Sequence, residues 1–243
     1  MTPPLDVLAL AAHPDDAELA CAGTLLVAAD AGLAVGILDL TDAELSTQGD
    51  GETRARERDR ASAVLGLAVR SGLGLPDGGL DGSAAQRRAL VGALRTLRPR
   101  VLLAPYPEDR HPDHAAAGRL ARDAAYLAGV RRYDAGEAPH RPGALYHYML
   151  HEPFSPTFVV DVGATWARRT QAVEAYASQF GGPASGARTP LGGPGFLAVL
   201  EARACWFGAM IGAERGEPFW SPGPIGLDGL PPGGGRDAYR MFV

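Results

Sequence analysis

The sequence predicts an α/β fold: a Rossmann-like, mostly parallel sheet flanked by helices, with the active site at the C-terminal ends of the strands. Three observations support this. Apolar runs such as Val7-Leu8-Ala9-Leu10 and Val101-Leu102-Leu103-Ala104 are continuous rather than alternating, as in strands buried on both faces. Helical patterns alternate with such runs along the chain, which favours a doubly wound sheet with right-handed crossovers. Finally, two His-Pro-Asp turns, His13-Pro14-Asp15 and His111-Pro112-Asp113, each follow a predicted strand and precede a helix.

The elements follow in order. Residues 17–31 form an alanine-rich helix stopped by Gly32, and Ala34–Leu40 is the second strand. A polar loop over 41–51 leads to a helix at Glu52–Leu65 whose exposed face alternates in charge. A short strand near Leu67–Arg70, the turn Leu75-Pro76-Asp77-Gly78-Gly79 and a helix over Ser83–Leu97 bring the chain to the 101–104 strand. Beyond the second turn lie a helix at 115–128 and strands at Ala144–Leu150 and Thr157–Asp161. Helices at 165–179 and 195–213 enclose a Gly/Pro-rich segment, 181–195, and the tail from Pro218 reads as irregular. Either Gly/Pro-rich stretch has the composition of a lid. One domain over 1–243 suits this length.

Composition excludes several functions. Apolar residues make up 46% and charged residues 21%, as in an ordinary globular chain. The net charge of -5 offers no basic field, so no nucleic acid is expected as a partner. All 23 basic residues are arginine, which excludes a Schiff-base lysine and the lysine of a P-loop. Cys21 and Cys205 form no C-x-x-C, and neither G-x-G-x-x-G nor G-x-S-x-G occurs. No basic n-region and no uninterrupted apolar span is present, so no membrane contact and a cytoplasmic location are expected.

If the strand order is Rossmann-like, the first and fourth strands are neighbours, and the two His-Pro-Asp turns face each other across the switch-point crevice. Two imidazoles and a carboxylate are a common catalytic zinc set, with one position left to water. His13 and Asp16 are three residues apart at a helix entrance, and His114 can complete the set from the opposite loop. Asp15 and His111 then stand free, a carboxylate to take a proton from water and an imidazolium to steady an oxyanion. Asp113 is placed to orient His111 through a ring N–H. The same residues also have plain structural readings: Asp as a helix cap, Glu18 as a first-turn carboxylate favoured by the helix dipole, and His140, His147 and His151 as scattered structural histidines. Arg54 and Arg110 adjoin the polar loop and the second turn, where either can grip a substrate carboxylate or simply be solvated.

Ala12-His13-Pro14-Asp15-Asp16-Ala17-Glu18 and His111-Pro112-Asp113-His114 resemble the signatures of the LmbE/PIG-L family of zinc-dependent N-acetylglucosamine deacetylases. The likeness extends through Glu52-Thr53-Arg54, Leu75-Pro76-Asp77-Gly78, Pro105 to Arg110 and Ser178-Gln179-Phe180, and within the family is greatest to the bacillithiol biosynthesis deacetylases. The resemblance implies His13, Asp16 and His114 as zinc ligands, Asp15 as general base, and His111, oriented by Asp113, as the acid facing the oxyanion. It implies Arg54 as a substrate contact, N-acetylglucosaminyl malate as substrate, and a homo-oligomer, often a hexamer. Fe²⁺ and Mn²⁺ tolerate the same ligand set. Two departures stand out: Cys21-Ala22-Gly23 stands where many relatives have a glycine-rich run, and Phe196 falls in the region where the resemblance leads one to expect an oxyanion-assisting tyrosine.

Overall fold

A computed structural model describes residues 4–180 and 195–227. The first strand, β1 (Val7–Ala11), feeds helix α1 (Asp16–Asp30), followed by β2 (Val35–Thr41), α2 (Gly51–Leu65), β3 (Val69–Leu75), α3 (Ala84–Leu97), β4 (Val101–Pro105) and α4 (Pro112–Ala128). The second half adds β5 (Ala144–Tyr148), β6 (Phe158–Asp161), α5 (Trp166–Glu174), the short α6 (Ala177–Phe180), α7 (Phe196–Met210) and β7 (Gly216–Trp220). The sheet order is β3-β2-β1-β4-β5-β7-β6, parallel from β3 to β5 and antiparallel around β7. The expected adjacency of the first and fourth strands is therefore present, with Val7 opposite Val101 and Ala9 opposite Leu103.

Alternation along β1 shows why its run is wholly apolar. Leu8 and Leu10 point into a core with Leu90, Val91 and Leu94 of α3 and Leu120 of α4. Ala9 and Ala11 point the other way, to Leu25 of α1 and Val173 of α5. A strand covered by helices on both faces has no position where a polar residue meets water.

Three sequence expectations need correction. The helix read over 165–179 is broken into a 3₁₀ turn at Gly163–Thr165, α5 and α6. The strand near Leu67–Arg70 runs on to Leu75, which carries the following turn to the edge of the sheet that bears both His-Pro-Asp turns. The tail read as irregular from Pro218 opens inside β7, whose last three residues it supplies; Pro218 pairs only towards β6, opposite Val159, where its missing N–H is tolerated. The lid question for 181–195 falls almost wholly outside the described residues, as does most of the tail. Among the described residues no helix is long and apolar enough to cross a membrane.

β7 also braces the helix that carries the first turn. Glu217, buried, accepts hydrogen bonds from the backbone N–H groups of Gly23 (2.9 Å) and Thr24 (2.7 Å) and from the Thr24 hydroxyl (2.7 Å). A Cβ at Gly23 would lie 2.7 Å from Val162 Cβ and 2.9 Å from Glu217 Oε1, so the Cys21-Ala22-Gly23 sequence keeps its glycine where β7 and the 162 turn close on α1.

His147 is structural, as its scattered position implied. It is fully buried in β5, and its Nδ1 donates to the Pro105 carbonyl at 2.7 Å. Burial pulls its imidazole down to about 4. A histidine held neutral in the folded state and free to protonate near 6.5 when unfolded binds fewer protons folded, so stability falls as pH drops from 6.5 to 4. The loss at the acid end is about 3 kcal/mol. Urea unfolding across that window should show it, and His147→Asn, which keeps a donor for Pro105, should flatten the slope.

Candidate active site

Parallel pairing of β1 with β4 brings both His-Pro-Asp turns to one edge of the sheet. There they line a cavity of about 480 Å³ together with the 43–48 loop, Arg54, Asp77, Gly78, Leu150, His151 and Gln179. A larger groove of about 870 Å³ between α3 and α4 is lined by Arg87, Arg119 and Arg122 with Asp123 as its one carboxylate, and it holds no histidine. Size does not select the site; chemistry does.

The first turn is not an ordinary helix cap. Asp15 occupies the N-cap position of α1 with φ of 126° and makes no capping hydrogen bond. Its carboxylate is buried and paired with Arg54 Nη1 at 3.2 Å. Such a backbone conformation costs a non-glycine residue on the order of 1–3 kcal/mol, and functional sites are where it persists. Asp16, one residue on, accepts from the His13 backbone N–H at 2.9 Å and lies 3.2 Å from His114 Nε2 through its other oxygen.

His13, Asp16 and His114 bring one ligand atom each within 4.8 Å of one another. His13 Nδ1 faces Asp16 Oδ2 at 3.5 Å, while its Nε2 contacts Asp77 at 3.1 Å and Asp113 at 3.3 Å. Burial pulls both imidazoles down, yet Asp16 and Asp77 carry His13 to about 11, and Asp16 and Asp109 carry His114 to about 9. Burial pushes Asp16 up, but the two imidazoles hold it well below the carboxylate range. The pocket is thus built around positive charge, and two nitrogens and a carboxylate converging there fit a divalent metal.

The remaining expected residues fall into distinct places. His111 is the N-cap of α4, and its Nδ1 accepts the Asp113 backbone N–H at 3.3 Å. That contact puts the ring proton on Nε2. Burial and the neighbouring His114 and His13 lower its pKa, so a neutral imidazole, not the imidazolium expected from sequence, faces the cavity. Asp113 meets His111 through this backbone N–H. Its carboxylate reaches His13 and accepts from the N–H of Gly78 (2.7 Å) and Leu80 (3.3 Å). Arg54 lines the cavity but is committed to Asp15, and Arg110 is exposed in an adjoining cleft of about 540 Å³ with His151, Leu150 and Phe196. Phe196 stacks on Phe180, with ring centroids 5.7 Å apart.

Glu18 stands in the first turn of α1, as its sequence position implied, but its side chain turns inward. Fully buried, it pairs with Arg70 at 2.5 Å and accepts the Tyr176 hydroxyl at 3.0 Å; the Tyr176 ring in turn lies under the Arg54 guanidinium at 5.7 Å. The chain of contacts ends on Asp15. Sequence reasoning also missed Asp77, Asp109 and His151. Asp77 closes a turn at the end of β3, where a strand-end rule could have found it. Asp109 stands two residues before His111, and His151 is stacked on His114 with ring centroids 5.1 Å apart.

Comparison with known proteins places this arrangement. A model of the PIG-L family, described as GlcNAc-PI de-N-acetylase, matches residues 8–125. The diacetylchitobiose deacetylase of Thermococcus kodakarensis is 32% identical over 190 residues, covering 72% of this chain and 70% of that one. The chain belongs to the PIG-L family. A second relative in the family, a 1D-myo-inositol 2-acetamido-2-deoxy-alpha-D-glucopyranoside deacetylase from Nakamurella multipartita, is 34% identical over 165 residues, 51% of this chain and 56% of its own length. The crystal structure of a conserved protein from Thermus thermophilus superimposes with a TM-score of 0.86 at 43% identity, covering 94% of this chain and 99% of that one.

The unusual backbone at Asp15 can be measured. Asp15→Gly and Asp15→Ala both leave Arg54 unpaired, but only alanine bears the steric cost of φ 126°. Chemical denaturation should find the glycine variant more stable by about 1–2 kcal/mol.

Proposed function

We propose that the protein is a metal-dependent N-deacetylase that releases acetate from an N-acetylglucosamine conjugate. The observation that carries this reading is the convergence of His13, Asp16 and His114 with Asp15 and His111 around one cavity. The two named relatives share one chemical unit, a glucosamine carrying an acetamido group.

His13, Asp16 and His114 would hold the metal, which supplies Lewis acidity and makes water acidic enough to attack at neutral pH. Asp15 is the general base. Burial raises its carboxyl to about 6 against the pull of Arg54, which keeps it ionised at neutral pH yet basic enough to take a proton from water. The His111 Nε2–H donates to the amide oxygen as negative charge develops there. When the C–N bond breaks, the proton held on Asp15 passes to the leaving amine, and acetate and the free glucosamine result. Asp77 and Asp113 fix His13 by accepting at Nε2, and Arg54 fixes Asp15.

Within this reaction we assign the malate glycoside as substrate. Arg110 supports it: among the described residues it pairs with no carboxylate, and it lines the cleft that shares Leu19, Leu150 and His151 with the catalytic cavity. An anionic aglycone leaving the cavity by that route meets a guanidinium.

Acetate release from N-acetylglucosaminyl malate, N-acetylglucosaminyl inositol and N,N'-diacetylchitobiose, each with and without chelator, tests both levels. Chelator-sensitive release, fastest from the malate conjugate, is expected. No release from any of them by the metal-loaded protein rejects the deacetylase, and faster release from chitobiose rejects the malate assignment. Asp15→Ala should retain metal and lose on the order of 10²–10⁴ in turnover, whereas His13→Ala should lose metal by elemental analysis. Arg110→Ala should raise KM for the malate conjugate about tenfold, the size of one charge-assisted hydrogen bond, and leave kinetics on neutral chitobiose unchanged.

A further inference from the structure

Asp109 is buried at the end of the β4–α4 turn and belongs to neither His-Pro-Asp motif. Its Oδ1 accepts the His111 backbone N–H at 2.9 Å and lies 3.2 Å from His114 Nδ1. Its Oδ2 accepts the backbone N–H groups of His151 at 2.8 Å and Glu152 at 3.1 Å. A carboxylate has roughly four acceptor positions, and all are occupied. Asp109, His114 and His151 also lie close enough together to cradle a cation. With its acceptor positions taken by three backbone donors and one ring nitrogen, Asp109 serves to orient and has no lone pair left to ligate.

We infer that Asp109 is the positioning residue of His114: it holds the ring proton on Nδ1, turns Nε2 towards Asp16, and fastens the 151–152 loop against the same ring. The inference rests on the metal site proposed above. A neutral imidazole has one N–H and one lone pair, so an acceptor fixed at Nδ1 leaves the lone pair at Nε2, the atom that faces Asp16 at 3.2 Å. Three backbone N–H groups fix the carboxylate itself, and it therefore imposes the orientation on the ring. The stacked ring of His151 closes the other side of His114.

Two measurements test this. In zinc-loaded wild-type protein labelled with ¹⁵N in its histidines, the His114 proton should reside on Nδ1 and exchange slowly; a proton on Nε2, or ligation through Nδ1, overturns the inference without any variant. Asp109→Asn presents an amide that cannot accept at all four positions, and competition with a fluorescent chelator should show zinc affinity 10- to 100-fold weaker. At saturating zinc, KM should stay near the wild-type value while kcat falls. Glu108→Gln, an exposed neighbour, should match wild type in both. Equal zinc affinity in wild type and Asp109→Asn sinks this inference alone, whereas a wild-type protein that binds no zinc sinks the metal site and this inference with it.

Discussion

Parallel pairing of β1 with β4 is the constraint on which the rest of the molecule depends. The two strands differ by about a hundred positions in sequence, yet their register sets Val7 beside Val101 and so sets the two turns beyond them side by side. The first turn brings His13, Asp15 and Asp16, and the second brings His111, Asp113 and His114. Only their apposition gathers His13, Asp16 and His114 around one pocket, a grouping that no single segment supplies. Both strands are buried on both faces, so the register is locked by two cores at once, and a slip of one residue would reverse every side chain.

Around that pocket, electrostatics rather than shape decides the roles of chemically similar groups. Asp15 and Asp16 are adjacent in sequence, but one faces a guanidinium and the other two imidazoles. Burial therefore raises the first into the range of a useful base, while the second stays ionised far below it. The three histidines divide in the same way: carboxylates hold His13 and His114 up, and burial beside them keeps His111 neutral. The backbone enforces this division, since the Asp113 N–H fixes one tautomer of His111.

Much of this was legible in the chain. Continuous apolar runs identified β1, β2 and β4, and the two His-Pro-Asp turns after β1 and β4 pointed to the edge where the site lies. What was not legible lacked a local signal. β7 is five residues with a proline at its centre, so it shows neither alternation nor an unbroken apolar run. Glu18 sits where a helix dipole would favour any carboxylate, and only the arrival of Arg70 from β3 and Tyr176 from beyond α5 makes it part of an ion-pair chain. His151 belongs to no motif; its place beside His114 follows from the β4–β5 pairing and from Asp109 capturing its backbone N–H.

The grip of Glu217 on Gly23 and Thr24 carries a consequence for the order in which the protein is made. The helix that bears Asp15 at its cap and Asp16 at its start emerges from the ribosome early, but the side chain that braces it emerges nearly two hundred residues later. A nascent chain can pair β1, β2 and β4 before the Glu217 carboxylate that holds Gly23 and Thr24 has been made, so that brace on α1 waits for β7. Contacts this distant in sequence slow folding, and they make the setting of α1 depend on residues far beyond the half of the chain that bears its motifs.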